Sequence, residues 1–341
     1  MTFEATFPRI GVVIIGVNVQ PYIADCVKSV LAVDYPQALL EVVYADGGST
    51  DNSNVIARTH GARVIESNEE HPTASSGRNA GWRALRAPFI LFLDADTTLD
   101  PGFLKRSIME FKDQTVAVCG LRQERYPYRN LYHMIAAMEW DSEIGPCRFF
   151  GGDILIRRDV LEKTNGYDES LWGGEDPDLS YRVRKLGFQI VRLDHPMTTH
   201  DINMSTFKQY LKRAYRTGYN YVNLSLRYLR DPEKMWLREV IRIVYKALLP
   251  VFLIACGIAF GHPAIGLLLA LVIFMRPLLA FARLKEEFRQ NSKYTLVYVI
   301  HSAVVIYPQF LGIIRCLYGI LAGRPLQNSA KSFSPNSRTS T

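Results

Sequence analysis

The segment from Pro88 to Thr98, PFILFLDADTT, constrains the fold of this chain more than any other. Residues 89–93 form an unbroken apolar run that is too short for a helix and is typical of a strand buried on both faces. The run ends in Asp94 and Asp96, which leave the strand close together at its carboxyl end. Open α/β sheets bind ligands at that edge, and Mg²⁺ commonly takes carboxylates together with substrate phosphates. The segment therefore predicts a metal–diphosphate site; the structural alternative is a polar exit from the strand.

Apolar runs and helical patterns alternate from the start of the chain to this segment. Strands are predicted at 10–17, 39–45, 63–65 and 89–93, with a helix in each interval, the last of them at 75–86. Strands that alternate with helices are typical of a doubly wound, mostly parallel α/β sheet. We therefore expect polar residues at the carboxyl ends of these strands to meet at one edge.

Charge is distributed unevenly along the 341 residues, whose formal net charge is +7. Residues 1–204 hold 21 basic and 28 acidic side chains, whereas residues 205–341 hold 19 basic and 5 acidic ones. An acidic globular part followed by a basic, apolar part indicates attachment to an anionic membrane surface. Nucleic-acid binding is not expected, because the basic residues are interleaved with apolar runs of membrane-spanning length.

The cysteines and the N-terminus both indicate a cytoplasmic globular part. The five cysteines have no paired spacing, which predicts reduced thiols. The first residues, MTFEATFPRI, lack the charged-then-apolar pattern of a signal peptide.

Four motifs in order along the chain carry a family resemblance. They are DGGSTD at 46–51, SGRNAG at 76–81, DAD at 94–96 and GGEDPDLSYRVRKLG at 173–187. Over about residues 9–220 this set resembles the family 2 inverting glycosyltransferases. The resemblance implies a nucleotide-diphospho-sugar transferase fold of the GT-A type and a nucleotide-sugar donor.

Donor binding follows from the resemblance. Asp46 would accept a hydrogen bond from the base; uracil offers a ring N–H, so UDP is the first expectation. The alternative for Asp46 is a turn aspartate that binds its own backbone. Arg78 would lie near the base or the diphosphate, or would be a solvated helix charge. Ile15 and Val17 stand where the family usually has Pro-x-Tyr-Asn, so backbone contacts with the donor are expected there.

The resemblance also implies a metal site for Mn²⁺ or Mg²⁺. Asp94 would face the ribose and the metal, and Asp96 would ligate the metal that bridges the diphosphate and offsets charge on the leaving UDP. His200 would complete the shell, or would be a loop histidine without a role. Arg213 and Arg216 would form a cationic patch that closes on the diphosphate, or a solvated helix face.

Catalysis is assigned to the acids at 175–176. Asp176 would be the general base that inverting transfer requires, and Glu175 would orient the acceptor or serve as the alternative base. The structural alternative is that Pro177 is the first helical residue and Asp176 the N-cap. Asp153 and Trp172 are weaker candidates for contact with the sugar, diphosphate or acceptor.

Basic and apolar stretches share the C-terminal third. Basic residues at every fourth position from 234 to 246 predict an amphipathic helix on lipid headgroups. Apolar runs follow at 247–260, 264–282 and 294–322. Arg276 must lie near an interface or in a protein cavity, because a charge at the bilayer centre is costly.

The topology of these runs is predicted from the basic loop 283–293, which is expected in the cytoplasm. The first two runs would form a hairpin of two spans. The third run, interrupted by Pro308, could span the membrane or re-enter and return.

Together these patterns predict a cytosolic catalytic domain at 1–230, amphipathic and transmembrane or re-entrant helices at 231–323, and a disordered tail at 324–341. The expected protein is a multi-pass enzyme of the cell (inner) membrane that transfers a hexose from a nucleotide sugar, UDP first, to a lipid-linked or exopolysaccharide acceptor. Two alternatives remain: a polyprenyl-phosphate sugar synthase, and a non-catalytic nucleotide-sugar-binding membrane subunit.

Overall fold

The computed structural model describes residues 7–66, 72–140, 142–171, 173–275 and 292–323. The chain divides into two compact units. The first, called the sheet unit, comprises Met1–Tyr126 and Glu139–Ile202; the second, called the helical unit, comprises Pro127–Met138 and Asn203–Thr341.

The sheet unit is built on one mixed sheet of nine strands within the described residues. The strands are β1 (Ile10–Gly16), β2 (Leu40–Asp46), β3 (Arg63–Glu66), β4 (Phe89–Asp94), β5 (Thr97–Leu99), β6 (Thr115–Glu124), β7 (Gly145–Pro146), β8 (Ile154–Arg157) and β9 (Gln189–His200). The strand order is β3-β2-β1-β4-β8-β6-β9-β5, and β7 pairs with β9. The pairs among β1 to β4 are parallel, whereas β8 runs antiparallel to β4 and β6. The predicted fold class is confirmed, with a mixed second half of the sheet.

Helices cover the sheet at the predicted intervals. They are α1 (Ile23–Leu31), a 3₁₀ turn (Gln37–Leu39), α2 (Ser53–Thr59), α3 (Ala74–Arg83), α4 (Phe103–Ile108), α6 (Arg158–Thr164) and α7 (Glu175–Lys185). The apolar run at 89–93 belongs to β4, and its Ile90, Leu91, Phe92 and Leu93 are fully buried.

Strand register brings the polar strand ends to one edge. Gly16 of β1 pairs with Asp46 of β2, and the preceding Ile15 pairs with Asp94 of β4. On the other half of the sheet, Thr97 of β5 pairs with His200 of β9. Residues far apart in sequence thus reach a common edge, as the alternation of strands and helices predicts.

Helix α7 corrects one expectation. Its N-cap is Gly174 in the left-handed region (φ +82°), and the helix begins at Glu175, so Asp176 is not the N-cap. Glycine adopts positive φ without a steric penalty, which lets the helix start earlier than the proline suggests. Pro177 still fits, because the first-turn N–H that it lacks has no partner within a helix.

The helical unit contains the remaining helices. They are α5 (Leu131–Glu139), most of which belongs to this unit, α8 (Phe207–Arg227), α9 (Leu237–Ala259), α10 (Pro263–Met275), α11 (Ser292–Val304) and α12 (Ile306–Leu321). The predicted amphipathic helix and the first apolar run form one continuous helix, α9. Within the described ranges, two stretches are long and apolar enough to cross a membrane, Leu237–Ala259 and Leu296–Leu321. Trp172, Arg276, residues 283–291 of the basic loop and the 324–341 tail lie outside the described residues.

Candidate active site

Asp94, at the end of β4, is held by two guanidinium groups. Its Oδ1 accepts from Nη2 of Arg78 at 2.9 Å, and its Oδ2 accepts from Nη2 of Arg122 at 3.3 Å. Burial works to raise the pKa of Asp94, but the two cations outweigh it and hold the pKa below its ordinary value. Asp94 is therefore ionised at neutral pH.

Arg78, on α3, connects the Asp-x-Asp motif with the acids at the start of α7. The side chain is almost completely buried; Nη1 donates to Oε1 of Glu175 at 3.0 Å and lies 3.7 Å from Oδ1 of Asp176. Its guanidinium also packs over the ring of Tyr167, 5.2 Å from the centroid. The structure thus places Arg78 among three carboxylates and not on a solvated helix face.

Asp176 has the properties of a general base. Burial, opposed by Arg78 and assisted by the charges of Glu175 and Asp94, raises its pKa to about 7. Its side chain is 16% exposed. Among the described residues Oδ1 has no hydrogen-bond partner. A carboxylate with a pKa near neutrality and an available oxygen can accept a proton at physiological pH.

Asp96 and His200 form a second pair. Nε2 of His200 lies 3.1 Å from Oδ2 of Asp96, because β5 and β9 place their ends side by side. The other atoms of the pair, Oδ1 of Asp96 and Nδ1 of His200, are buried and have no hydrogen-bond partner within the described part of the chain. A carboxylate oxygen and an imidazole nitrogen are donor types that Mn²⁺ accepts, so the pair has the right chemistry for ligands of such an ion.

Neither Arg122 nor Trp140 is among the site residues that the sequence predicts. Arg122, near the end of β6, donates from Nη2 to Oδ2 of Asp153 at 2.7 Å as well as to Asp94. The indole of Trp140 lies against this guanidinium, 5.6 Å from ring centroid to Cζ, and meets the ring of His200 edge-on at 5.0 Å. Trp140 therefore contacts both Arg122, which donates to Asp94, and His200, which pairs with Asp96. The one available signal was an arginine near the end of an otherwise apolar strand.

Asp153 is a buried member of the same network. Its Oδ2 accepts from the Arg122 guanidinium and from the Thr198 hydroxyl at 2.6 Å, while Oδ1 accepts from the Asp94 N–H at 3.4 Å. A cavity of about 170 Å³ opens beside it, lined by residues that include Cys119, Arg122, Trp140, Gly151, Asp153 and Thr198. An indole face beside polar groups suits a sugar ring.

The carboxylate of Asp46 accepts hydrogen bonds from its own loop and from neighbouring side chains. Oδ2 accepts from the N–H groups of Gly48 (3.1 Å) and Ser49 (2.9 Å) and from the Asn54 amide (3.2 Å). Oδ1 accepts from the hydroxyls of Ser49 and Tyr44. This geometry is that of the turn aspartate; its role toward a base stays a prediction.

The other predicted residues are placed as follows. Ile15 is buried at the end of β1, and Val17 is exposed in the loop after it. Arg213 and Arg216 are exposed residues of α8 in the helical unit. Their roles, like those of the acids above, remain predictions.

Sequence comparison identifies the domain. The model of the family described as "Glycosyl transferase family 2" matches residues 11–167, which span β1 to β8 and α6 and include the Asp-x-Asp motif. This stretch is a family 2 glycosyltransferase domain. The family 2 domain therefore contains Asp46, Arg78, Asp94 and Asp96, while the acids of α7 follow it.

Relatives of the chain are about a quarter identical to it over the aligned residues. EpsH of Bacillus subtilis (strain 168) is 22% identical over 253 residues, 67% of this chain and 71% of that protein. The hyaluronan synthase of Pasteurella multocida is 24% identical over 205 residues, 47% of this chain and 21% of that protein. The similarity to these relatives thus extends over more of the chain than the family 2 domain alone.

Solved structures share the fold. The mannosyltransferase PcManGT from Pyrobaculum calidifontis, in complex with GDP-Man and Mn²⁺, superposes with a TM-score of 0.62 at 18% identity and covers 88% of each chain. S. aureus TarS in complex with UDP-GlcNAc has a TM-score of 0.50 at 15% identity, over 93% of this chain and 92% of that one. The sheet is thus of the GT-A type.

Proposed function

We propose that this protein is an inverting glycosyltransferase that moves a hexose from a nucleotide diphosphate sugar to an acceptor hydroxyl, with Asp176 as the general base. The observation that carries the proposal is the carboxyl of Asp176: its pKa is raised to about 7, and Arg78 lies beside it without occupying Oδ1. A base is needed on the face opposite the leaving group, and its best pKa lies near the working pH.

The transfer is a single displacement. Asp176 accepts the proton of the acceptor hydroxyl while the acceptor oxygen forms a bond to the anomeric carbon of the donor. The bond from that carbon to the diphosphate oxygen breaks, and the electron pair leaves with the nucleoside diphosphate. Attack opposite the leaving group inverts the anomeric configuration. Glu175, fixed by its 3.0 Å bond from Arg78, is placed to orient the acceptor.

Asp96 and His200 are the proposed residues for a divalent ion, Mn²⁺ or Mg²⁺. The unsatisfied Oδ1 of Asp96 and the Nε2 of His200, which faces the same carboxylate at 3.1 Å, support this choice, and PcManGT binds Mn²⁺ together with its nucleotide sugar. When bound, the ion would offset charge on the leaving diphosphate. Asp94 would contribute its negative charge to the site and not a ligand atom, because both of its oxygens already accept hydrogen bonds from arginines.

UDP is the proposed carrier of the sugar, with GDP as the alternative, because TarS binds UDP-GlcNAc and PcManGT binds GDP-Man. Five donors already surround the carboxylate of Asp46. A base N–H would therefore reach it only by displacing a side-chain donor, such as the Ser49 hydroxyl or the Asn54 amide. Backbone groups at Ile15 and Val17 are the proposed further contacts.

The acceptor is proposed to be lipid-linked or a growing polysaccharide, and the protein to be anchored in the cell membrane with the sheet unit in the cytoplasm. The two stretches of spanning length and the basic C-terminal part support attachment. The Pasteurella multocida relative is a hyaluronan synthase, which supports a polysaccharide acceptor.

A donor screen tests the proposal. Purified full-length protein is incubated with UDP- and GDP-sugars with Mn²⁺, and release of the nucleoside diphosphate is measured with and without chelator. We expect metal-dependent release from one donor class. Binding of a donor without turnover under any condition would favour the non-catalytic subunit. Transfer to polyprenyl phosphate that is unaffected by Asp176→Asn would favour the polyprenyl-phosphate sugar synthase.

A further inference from the structure

The apolar helix α12 is interlocked with the basic helix α8 through two glycines. A Cβ atom at Gly218 would collide with the backbone of Gln309, and one at Gly312 would collide with the carbonyl oxygen of Tyr215. Backbones approach this closely only where side chains are absent, as in small-residue helix contacts. The two helices are therefore fixed to each other around residues 215–218 and 309–312.

Helix α8 carries charge of one sign. It contains five basic residues and no acidic residue: Lys208, Lys212, Arg213, Arg216 and Arg227. Lys212, Arg213 and Arg216 are exposed and lie within one helical turn of Tyr215, the residue that contacts Gly312. At whatever depth in a membrane Gly312 lies, these three cations lie at nearly the same depth.

The position of Gly312 argues against a crossing. The spanning-length stretch Leu296–Leu321 has 26 residues, and Gly312 lies about 5 Å from its midpoint at ~1.5 Å per residue. If this stretch crossed the bilayer, the cations of α8 would be carried close to the bilayer centre. Charged side chains are strongly disfavoured there.

The outer face of α12 is apolar. Tyr307, Leu311, Ile314, Tyr318 and Leu321 recur at intervals of three or four residues and are exposed, whereas Gly312, Ile313 and Cys316 are buried. Such a stripe defines one face of a helix. A helix with an apolar outer face that is coupled to a cationic surface is typical of elements that lie in the membrane interface.

We infer that α12 lies in the plane of the membrane surface, with its apolar stripe in the boundary between headgroups and acyl chains and the cations of α8 on anionic headgroups. The partner of this face is an anionic phospholipid bilayer. The inference rests on the membrane attachment proposed above and answers the open question for Ile306–Leu321, the part of the third apolar run that forms α12: this part neither spans nor re-enters.

Topology provides the first test. Helices α9 and α10 form a hairpin, since a Cβ at Gly266 would lie 2.6 Å from the carbonyl oxygen of Leu253, so the chain returns to the side on which α9 begins. Epitope tags are placed at both ends of the full-length protein in sealed membrane vesicles and probed with a membrane-impermeant protease. We expect both tags on the same side. A C-terminal tag on the opposite side would mean that the third run crosses, and would overturn the inference.

Depth provides the second test. Spin labels are attached to Leu311→Cys and Leu321→Cys in a background without native cysteines. The two leucines are 56% and 87% exposed, so their replacement disturbs little packing. The protein is reconstituted in phosphatidylglycerol–phosphatidylethanolamine vesicles. The two sites are ten residues apart, about 15 Å along the helix. In-plane placement predicts equal depths, whereas a crossing predicts depths that differ by about 15 Å.

Two further outcomes are distinguishable. Spin–spin broadening that disappears when the protein is diluted in lipid would assign the stripe to a second copy and overturn the lipid assignment. Failure of wild-type protein to float with vesicles would defeat the attachment itself, independently of the orientation of α12. Nucleotide-sugar turnover by each labelled variant verifies that it is folded.

Discussion

Nη1 of Arg78 lies 3.7 Å from Oδ1 of Asp176, beyond hydrogen-bond range, while it donates to Glu175 at 3.0 Å. The buried cation therefore lowers the electrostatic cost of ionising Asp176 without filling the lone pairs that must accept a proton. A direct hydrogen bond would stabilise the carboxylate further and weaken it as a base. The two distances are consistent with the different roles proposed for Glu175 and Asp176.

Replacement of Asp176 by asparagine should reduce transfer by about 10²- to 10⁴-fold, the usual contribution of a general base. Donor affinity should stay near that of the wild type and Tm should not fall, because Asp176 is not the N-cap of α7 and asparagine removes only a charge that burial disfavours. Transfer rate, donor binding and Tm are measured together. A variant that transfers sugar at a near-normal rate would exclude Asp176 as the base.

Asp178 provides the matched control on the same helix. It is fully buried, and its Oδ2 accepts from Nε of Arg182 at 2.8 Å. Asp178→Asn should lower Tm, because it leaves the guanidinium without its charge partner. Loss of activity in that variant should follow loss of folded protein, unlike the loss in Asp176→Asn.

The pH dependence of the reaction should reflect the raised pKa of Asp176. The base must be ionised, so kcat/KM should rise through about pH 7 and level off above it. A profile that is flat from about pH 5.5 to 8.5 would contradict this assignment.

The contribution of Asp176 to folding stability should fall as the pH rises, whereas kcat/KM should rise. The ordinary pKa of the carboxyl is 3.8, and that of folded Asp176 is about 7. Between these values the folded protein binds more protons than the unfolded chain, so this contribution to stability is present below about pH 4 and is lost as the pH rises to about 7. Tm measured from pH 5 to pH 8 should fall more in the wild type than in Asp176→Asn, which has no carboxyl to titrate.

The strand ends that carry Asp46 and Asp94 could be predicted because each follows an unbroken apolar run. Such runs are local signals, and the register of a parallel sheet then aligns their carboxyl ends. Arg122 and Trp140 could not be placed in this way. Arg122 reaches Asp94 only because β8 and β6 add to the sheet beyond β4, which depends on pairings between distant segments.

The start of α7 shows where a local rule fails. Pro177 indicated a helix that begins at the proline, which would have made Asp176 the cap. The left-handed Gly174 moves the start to Glu175. A glycine permits positive φ without requiring it, so the sequence alone does not decide between the two helix starts.

Removal of the Asp96–His200 pair should abolish metal binding at the site. Asp96→Ala and His200→Ala should each weaken Mn²⁺ binding by at least the ~10- to 100-fold that loss of an outer-shell partner costs. Mn²⁺ binding is followed by electron paramagnetic resonance in the absence of donor, so the measurement does not depend on activity. Wild-type protein that keeps full activity in excess chelator would refute the metal requirement.

Arg122 should be required for stability of the network under the site. Arg122→Met leaves Asp153, which is 5% exposed, without its cation. Loss of one partner of a buried ion pair costs about 3–5 kcal/mol, and the lower end of that range is expected because Arg122 is 23% exposed. The free energy of unfolding is measured by denaturant titration.

Arg83→Met is the control: its partner Glu169 is exposed, and surface pairs contribute about 0–1 kcal/mol. Adding Asp153→Asn to Arg122→Met should restore part of the loss, because it removes the uncompensated charge. Equal effects of Arg122→Met and Arg83→Met would mean that Arg122 is not part of a buried pair.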